Sequence, residues 1–143
     1  MATGYSLLYA NKINDAVFRK TDFIAAIPAS YWVALFINTL AGTHLRADDY
    51  ASAQEVSGGA YARVEVRGST GITWGTSSGG LTTQTGDITF PAATGNWGTV
   101  YAVGLMDAVS AGHVVLYADL SVPKAVSTPD VFKVPSTYFQ CQL

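Results

Sequence analysis

The acid–base inventory of the chain is two histidines, two glutamates and eight aspartates, and their spacing decides which chemistry is open to it. His44 stands shortly before Asp48-Asp49, from which a His–Asp metal site can be imagined. No further ligands follow at the tight spacing such a site needs, and a solvated loop accounts for the same residues. His113 comes directly after Ser110-Ala111-Gly112 and reads as an exposed turn residue. No serine has a Gly-x-Ser-x-Gly context, and Ser77-Ser78-Gly79-Gly80 reads as a turn, not a nucleophile elbow. A glycosidase needs two carboxylates facing one bond. The only glutamates are Glu55 and Glu65, and Glu65 alternates with Arg63 and Arg67 on a wet strand face, where ion pairing is its expected role. The glycines do not follow a strand-to-helix phosphate pattern. The lone Cys141 allows neither an internal disulfide nor a Cys-based zinc site and reads as a small apolar strand residue. The expectation is a protein that is not an enzyme, with no catalytic residues, no metal and no cofactor.

Aromatic rings are the other chemistry-bearing set. Trp74 and Trp97 fall in or beside loops, and Tyr50 and Tyr61 lie near turns. A sugar-binding surface uses such rings as stacking platforms, so Trp74 and Trp97 are candidates for a glycan or partner contact. The same tryptophans, with Trp32, serve equally as core or subunit-interface anchors.

The elements that must position these residues are mostly strands. With 143 residues the chain suits one domain, 1–143. It is 49% hydrophobic and only 13% charged, with 14 Gly. That balance, with many Thr, Ser, Val and Tyr, points to a β body whose surface is partly covered by neighbours. A net charge of -2 without a basic stripe gives nucleic acid no footing. No apolar run reaches the ~18 residues of a membrane span, and Met1-Ala2-Thr3-Gly4-Tyr5 lacks the features of a secretory signal.

An amphipathic helix is expected over 5–20, with Tyr5, Leu8, Tyr9, Ile13, Ala16 and Val17 on one face and Thr3 or Ser6 as the cap. Tyr31 to Ile37 is apolar on both faces and reads as a central strand. A long segment, 38–59, follows, of a length usually reserved for function. Further strands are expected at Ala60–Arg67, with Tyr61, Arg63, Glu65 and Arg67 on its wet face, around Ile72-Thr73-Trp74, and at Asp87–Phe90, Thr99–Asp107, His113–Leu120, Val131–Val134 and Thr137–Leu143. Pro123 is expected to end the penultimate long strand. Within Thr99–Asp107 the alternation sets Val100, Ala102 and Met106 on one face. Short strands separated by turn signals indicate an antiparallel β-sandwich, jelly-roll or Ig-like, with one N-terminal α-helix.

Several blocks resemble, in order, the small bacteriophage virion proteins commonly labelled phage tail fibre proteins. They are Asn11-Lys12-Ile13-Asn14-Asp15-Ala16-Val17-Phe18-Arg19-Lys20-Thr21, Tyr31-Trp32-Val33-Ala34-Leu35-Phe36 and, most specific, Glu55-Val56-Ser57-Gly58-Gly59-Ala60-Tyr61-Ala62-Arg63. Ile88-Thr89-Phe90-Pro91, Asn96-Trp97-Gly98-Thr99-Val100, Leu116-Tyr117-Ala118-Asp119-Leu120, Pro123-Lys124 and Phe132-Lys133-Val134-Pro135 continue the match. One departure stands out: residues 38–54 are longer than the short loop usual in that family, which suggests a contact peculiar to this virion.

The resemblance implies a structural component of the virion, assembled in the bacterial host cytoplasm. A 143-residue chain cannot extend far as a fibre, so its size points to a capsid decoration (cement) protein that stabilises the shell through many copies. The alternative is a tail fibre, tail-tip or baseplate component, with host-surface glycan as a possible ligand. Expected partners are the major capsid protein or tail proteins and copies of the chain itself. Tyr5, Leu8, Tyr9, Ile13 and Val17 would form an apolar subunit seam, or pack against their own domain, and Leu40, Leu45 and Tyr50 would anchor the long loop.

Overall fold

The computed structural model describes residues 3–19, 27–40, 54–66 and 74–142. The elements in chain order are β1 (Thr3–Tyr5), α1 (Leu7–Arg19), β2 (Trp32–Phe36), β3 (Val64–Glu65), β4 (Leu81–Thr83), β5 (Ile88–Thr89), β6 (Gly98–Met106), β7 (Val114–Val126), β8 (Lys133–Val134) and β9 (Gln140–Gln142). The fold is thus mainly β with one N-terminal helix. An antiparallel five-stranded sheet has the order β1-β7-β6-β2-β3, and two antiparallel two-stranded ribbons, β4-β9 and β5-β8, accompany it. No closed barrel forms among the described residues.

The helix starts two residues later than its periodicity predicts. Tyr5 belongs to β1, paired with Leu116 of β7, because Gly4 and Tyr5 complete the sheet edge before the chain turns. Ser6 then caps α1, its Oγ accepting the Tyr9 amide at 3.4 Å and its carbonyl accepting the Ala10 amide at 2.9 Å.

Strand β2 occupies the central place its two apolar faces require, between β6 and β3. Its register with β6 sets Val33 opposite Leu105 and Leu35 opposite Val103, and these four lie in the main core with Tyr9, Val56, Val66, Phe90, Trp97 and Phe139. The other face pairs Ala34 with Gly104 and Phe36 with Ala102, in a smaller cluster with Leu40, Met106 and Val114. Only glycine fits at 104, since a Cβ there would stand 2.7 Å from the Phe36 ring.

Three strand expectations give way to local irregularity. Pro123 does not end β7, which runs on to Val126. Val100 pairs with Lys124 and Ala102 with Asp119, so Leu120 to Pro123 stand against Tyr101 alone. Such a bulge is a place in a sheet that tolerates proline. The same shift turns Val100 into the main core, away from Ala102 and Met106, against the simple alternation. The strand expected at Ala60–Arg67 contracts to Val64–Glu65, because Gly58, Gly59 and Ala60 all have positive φ and turn the chain. Ile72 and Thr73 lie outside the described residues; Trp74 forms an isolated bridge with Gln84.

Gln84 is fully buried and ties the two ribbons together. Its Nε2 donates to the carbonyls of Gly86, Val134 and Pro135 at 3.0–3.3 Å, and its Oε1 accepts the Phe139 amide at 3.1 Å. A buried amide with its donors and acceptor all engaged specifies one arrangement of its surroundings.

Candidate functional site

The most specific sequence block, Glu55 to Arg63, folds into a compact polar and aromatic nexus. Its entry is fixed by backbone pairing along the edge of β2: Ile37 N–H donates to the Gln54 carbonyl at 2.9 Å and Val56 N–H to the Leu35 carbonyl at 3.0 Å. The turn that follows, through Gly58, Gly59 and Ala60, is closed by the Tyr61 amide donating to the Gly58 carbonyl at 2.9 Å. That turn sends Tyr61 and Arg63 back toward Glu55.

Arg63 meets Glu55 in a bidentate pair, Nε to Oε1 at 2.8 Å and Nη2 to Oε2 at 2.6 Å. The two side chains are only 4% and 10% exposed. The planar guanidinium has donors left over, and Nη1 uses them on the carbonyls of Ala108 and Ala111 at 2.7 and 2.9 Å. One arginine therefore fastens the Glu55 segment to the turn between β6 and β7. Tyr61 donates its hydroxyl to Glu55 Oε1 at 2.8 Å and accepts the Leu35 amide at 3.0 Å. Burial, reinforced by the adjacent Glu55 carboxylate, pushes the Tyr61 hydroxyl far above its ordinary pKa. The wet strand face expected for Tyr61, Arg63 and Glu65 is thus wrong for the first two. Both point inward, because a polar side chain with every donor and acceptor engaged can be buried.

Aromatic packing completes the nexus. Tyr61 stacks on Phe90, 10° from parallel with centroids 6.2 Å apart, and meets Trp97 edge-on at 5.4 Å. Trp97 is 4% exposed. Its Nε1 donates to the Gly59 carbonyl at 2.8 Å, which also accepts the Thr94 amide at 3.0 Å. Gly59 is required there: a Cβ would stand 2.9 Å from Trp97 Nε1 and 3.0 Å from the Gly95 nitrogen. Trp97 consequently presents no ring face for a sugar. Trp74 is half-buried, its ring tilted against Phe139 at 5.8 Å.

A second polar cluster locks the base of α1. Asp107 Oδ2 accepts the Tyr9 hydroxyl at 3.2 Å and lies 3.2 Å from His113 Nδ1, and Oδ1 accepts the His113 amide at 2.6 Å. Tyr9 is 2% exposed, and burial first, then Asp107, raises its hydroxyl pKa well beyond the usual range. Tyr5 packs on the core beneath the helix. Burial, with the neighbouring Cys141, pushes its hydroxyl up to about 12.

The residues expected to form a subunit seam thus divide. Tyr5, Leu8 and Tyr9 pack against their own chain, and Leu40 is buried under the second face of the sheet, where its amide donates to Asp119 Oδ1 at 2.7 Å. Ile13 is half-buried, and Val17 stands 67% exposed. Leu45 and Tyr50, with His44, Asp48 and Asp49, lie outside the described residues, as does the middle of the 38–59 segment. Among the described residues no group of three His, Cys, Asp or Glu side chains could hold a metal ion.

Sequence reasoning missed the inward roles of Arg63, Asp107 and Gln84. The block Glu55–Arg63 carries a usable signal, since two opposite charges flank a glycine turn that can fold them together. Asp107 and Gln84 carry little, because Tyr9 lies 98 residues from Asp107, and Val134, Pro135 and Phe139 lie 50 to 55 residues from Gln84.

A groove of about 700 Å³ runs between the β7 bulge and the chain around β8, lined by Val103, Leu120, Val122, Lys124, Phe132 and Tyr138 among others. It is mostly apolar. Comparison with curated proteins gives no match. A family model described as Gp80, podophage GP4 fiber I protein gp80, matches residues 4–142. Of the two virion roles the sequence suggests, this match supports the fibre rather than the capsid decoration protein. The chain belongs to the Gp80 family: it is a phage fibre protein, a non-enzymatic structural component of the virion.

Proposed function

We propose that the chain is a stiff structural body within a short tail fibre, joined to other tail proteins and to copies of itself. The observation that carries this reading is where the chemistry-bearing side chains go. Arg63, Glu55, Asp107 and Gln84 all bind their own backbone or one another. Polar groups saturated in this way fix a shape and leave little for a substrate. The sandwich architecture belongs to the same proposal: the five-stranded sheet and the two ribbons share one core, with Phe90, Val134, Phe139 and Cys141 facing Val33, Val103 and Leu105. The N-terminal helix and the 38–59 segment serve as its contact elements.

Immunogold labelling and copy counting on purified virions test this reading. Label at the tail, in a small number set by tail symmetry, is expected. Label spread over the head in the hundreds would overturn it.

The groove favours a second reading, recognition of a host-surface glycan. Its volume lies within the range of small-ligand sites, and Tyr138 and Lys124 supply a ring and a charge to its lining. A glycan array separates the two: specific binding lost in Tyr138→Ala supports recognition, and an empty array supports the purely mechanical body.

A further inference from the structure

Helix α1 buries one side and leaves the other bare, and the bare side is apolar where solvent predicts charge. Phe18 is 82% exposed, Val17 67% and Leu7 50%. At 100° per residue, Leu7, Asn11, Asn14 and Phe18 fall on one line, flanked by Ala10 and Val17. Asn11 and Asn14 are exposed as well. The steps along this line are four, three and four residues, the alternation by which one helix seats against another.

The charges of α1 keep off this line. Lys12 turns to the inner side, its ammonium 4.5 Å from the centroid of the Tyr9 ring. Asp15 and Arg19 pair with each other at 3.6 Å along one flank. What remains is an uncharged arc of Leu, Ala, Asn, Asn, Val and Phe. A contact between identical faces brings like residues together. Like charges there repel, whereas a carboxamide carries both donor and acceptor and can bond its own copy. We infer that the Leu7–Asn11–Asn14–Phe18 stripe is a docking surface for the same stripe on a second copy of this chain. This rests on the proposed fibre role and names the partner of its helical contact element.

The geometry suits either helix direction. Run antiparallel, Leu7 meets Phe18 of the second copy and Asn11 meets Asn14; run parallel, each residue meets its own counterpart. The helix is about 20 Å long, so the seam alone is short of the roughly 800 Å² per partner found in stable pairs. It acts at the high effective concentration set by a shared fibre.

Cysteine cross-linking of the purified full-length chain tests the inference. Asn11 and Asn14 flank the middle of the stripe, so like-numbered positions come close in both orientations. In Asn14→Cys protein at about 1 mM, a short bis-maleimide should give a covalent dimer at least ~10-fold above Thr89→Cys, an exposed control on β5. Adding Phe18→Asp should return that yield to the control level. The wild type, with only the buried Cys141, serves as blank. Unchanged thermal melting of the variants shows that folding is intact. A yield no higher than for Thr89→Cys, or one insensitive to Phe18→Asp, overturns the seam. Such a result leaves the fibre role standing if tail labelling persists, and head labelling sinks that role whatever the cross-linking shows.

Discussion

Two regions of this chain invert the usual rule of polar outside and apolar inside, and they do so in opposite directions. The Glu55–Arg63 segment draws an ion pair into the protein and satisfies it completely. The outer arc of α1 leaves Leu7, Val17 and Phe18 exposed, with nothing among the described residues covering them. Burying charge is tolerable only where partners are exact in number and direction, so such a segment fixes internal shape. Exposed apolar groups arranged on one line mark surface awaiting a neighbour. One region therefore concerns the chain alone, and the other its assembly. Substitutions should separate them: changes in the first should destabilise the protein, and changes in the second should leave the monomer's stability nearly unchanged.

The largest effect is expected at Arg63. Arg63→Ala strands the Glu55 carboxylate and frees the Ala108 and Ala111 carbonyls at once. Removing one partner of a buried pair costs about 3–5 kcal/mol, to be read as a lower midpoint in urea unfolding. The double variant Glu55→Leu with Arg63→Met should recover part of the loss, since no buried charge is left alone. A single variant as stable as the wild type would mean that the pair carries no structural weight.

Next comes Gly59. In Gly59→Ala the new methyl presses on Trp97 Nε1 and the Gly95 backbone, at a φ of 53° that disfavours side chains. A loss of about 1–3 kcal/mol is expected, with a shift in tryptophan fluorescence as the indole leaves the Gly59 carbonyl. Gly58→Ala sharpens the comparison, because its Cβ meets nothing within 4 Å and only the φ of 74° opposes it; its loss should be the smaller.

These two sites also show how far the sequence could be read. The helix, the central strand β2 and the β6–β7 hairpin were legible because each follows a local period or a turn signal. The Ser6 cap was legible for the same reason. Tyr61 and Arg63 were not, since alternation alone put them on a wet face. Three positive-φ residues broke the strand, and their partners at Ala108 and Ala111 lie 45 and 48 residues from Arg63. The fate of Pro123 depended on a bulge that only the pairing with β6 reveals. On α1 the period placed Leu8 and Tyr9 inward, where they lie, but it assigned Val17 to the same face, and Val17 stands 67% exposed.

Alkali should expose a third, gentler difference. The hydroxyl of Tyr5 is raised to about 12, and those of Tyr9 and Tyr61 are raised with it, all three first by burial. A folded pKa above the unfolded value of about 10 gives stability that is complete below pH 10. For Tyr5 that stability drains as pH climbs from 10 toward 12. Tyrosinate absorbance from these three should accordingly appear late, together with unfolding. Tyr61→Phe should leave the helix-base tyrosines, Tyr5 and Tyr9, titrating as before. Simple one-stage titration near pH 10 would show that none of the three is closed to solvent.

The smallest expected effect is the most telling for the outer arc. Phe18→Ser removes a large apolar side chain, a change that costs several kcal/mol in a core. At 82% exposure the ring has little of its own chain to lose, so monomer stability should move by no more than ~0.5 kcal/mol. Measured in dilute solution by urea unfolding, that near-silence is itself informative. A loss of the size seen in cores would mean that Phe18 packs within its own subunit, and the contrast between an inward-spent segment and an outward-facing helix would collapse. Near-zero loss, alongside a strongly destabilised Arg63→Ala, would show that the ring is kept for something outside the chain.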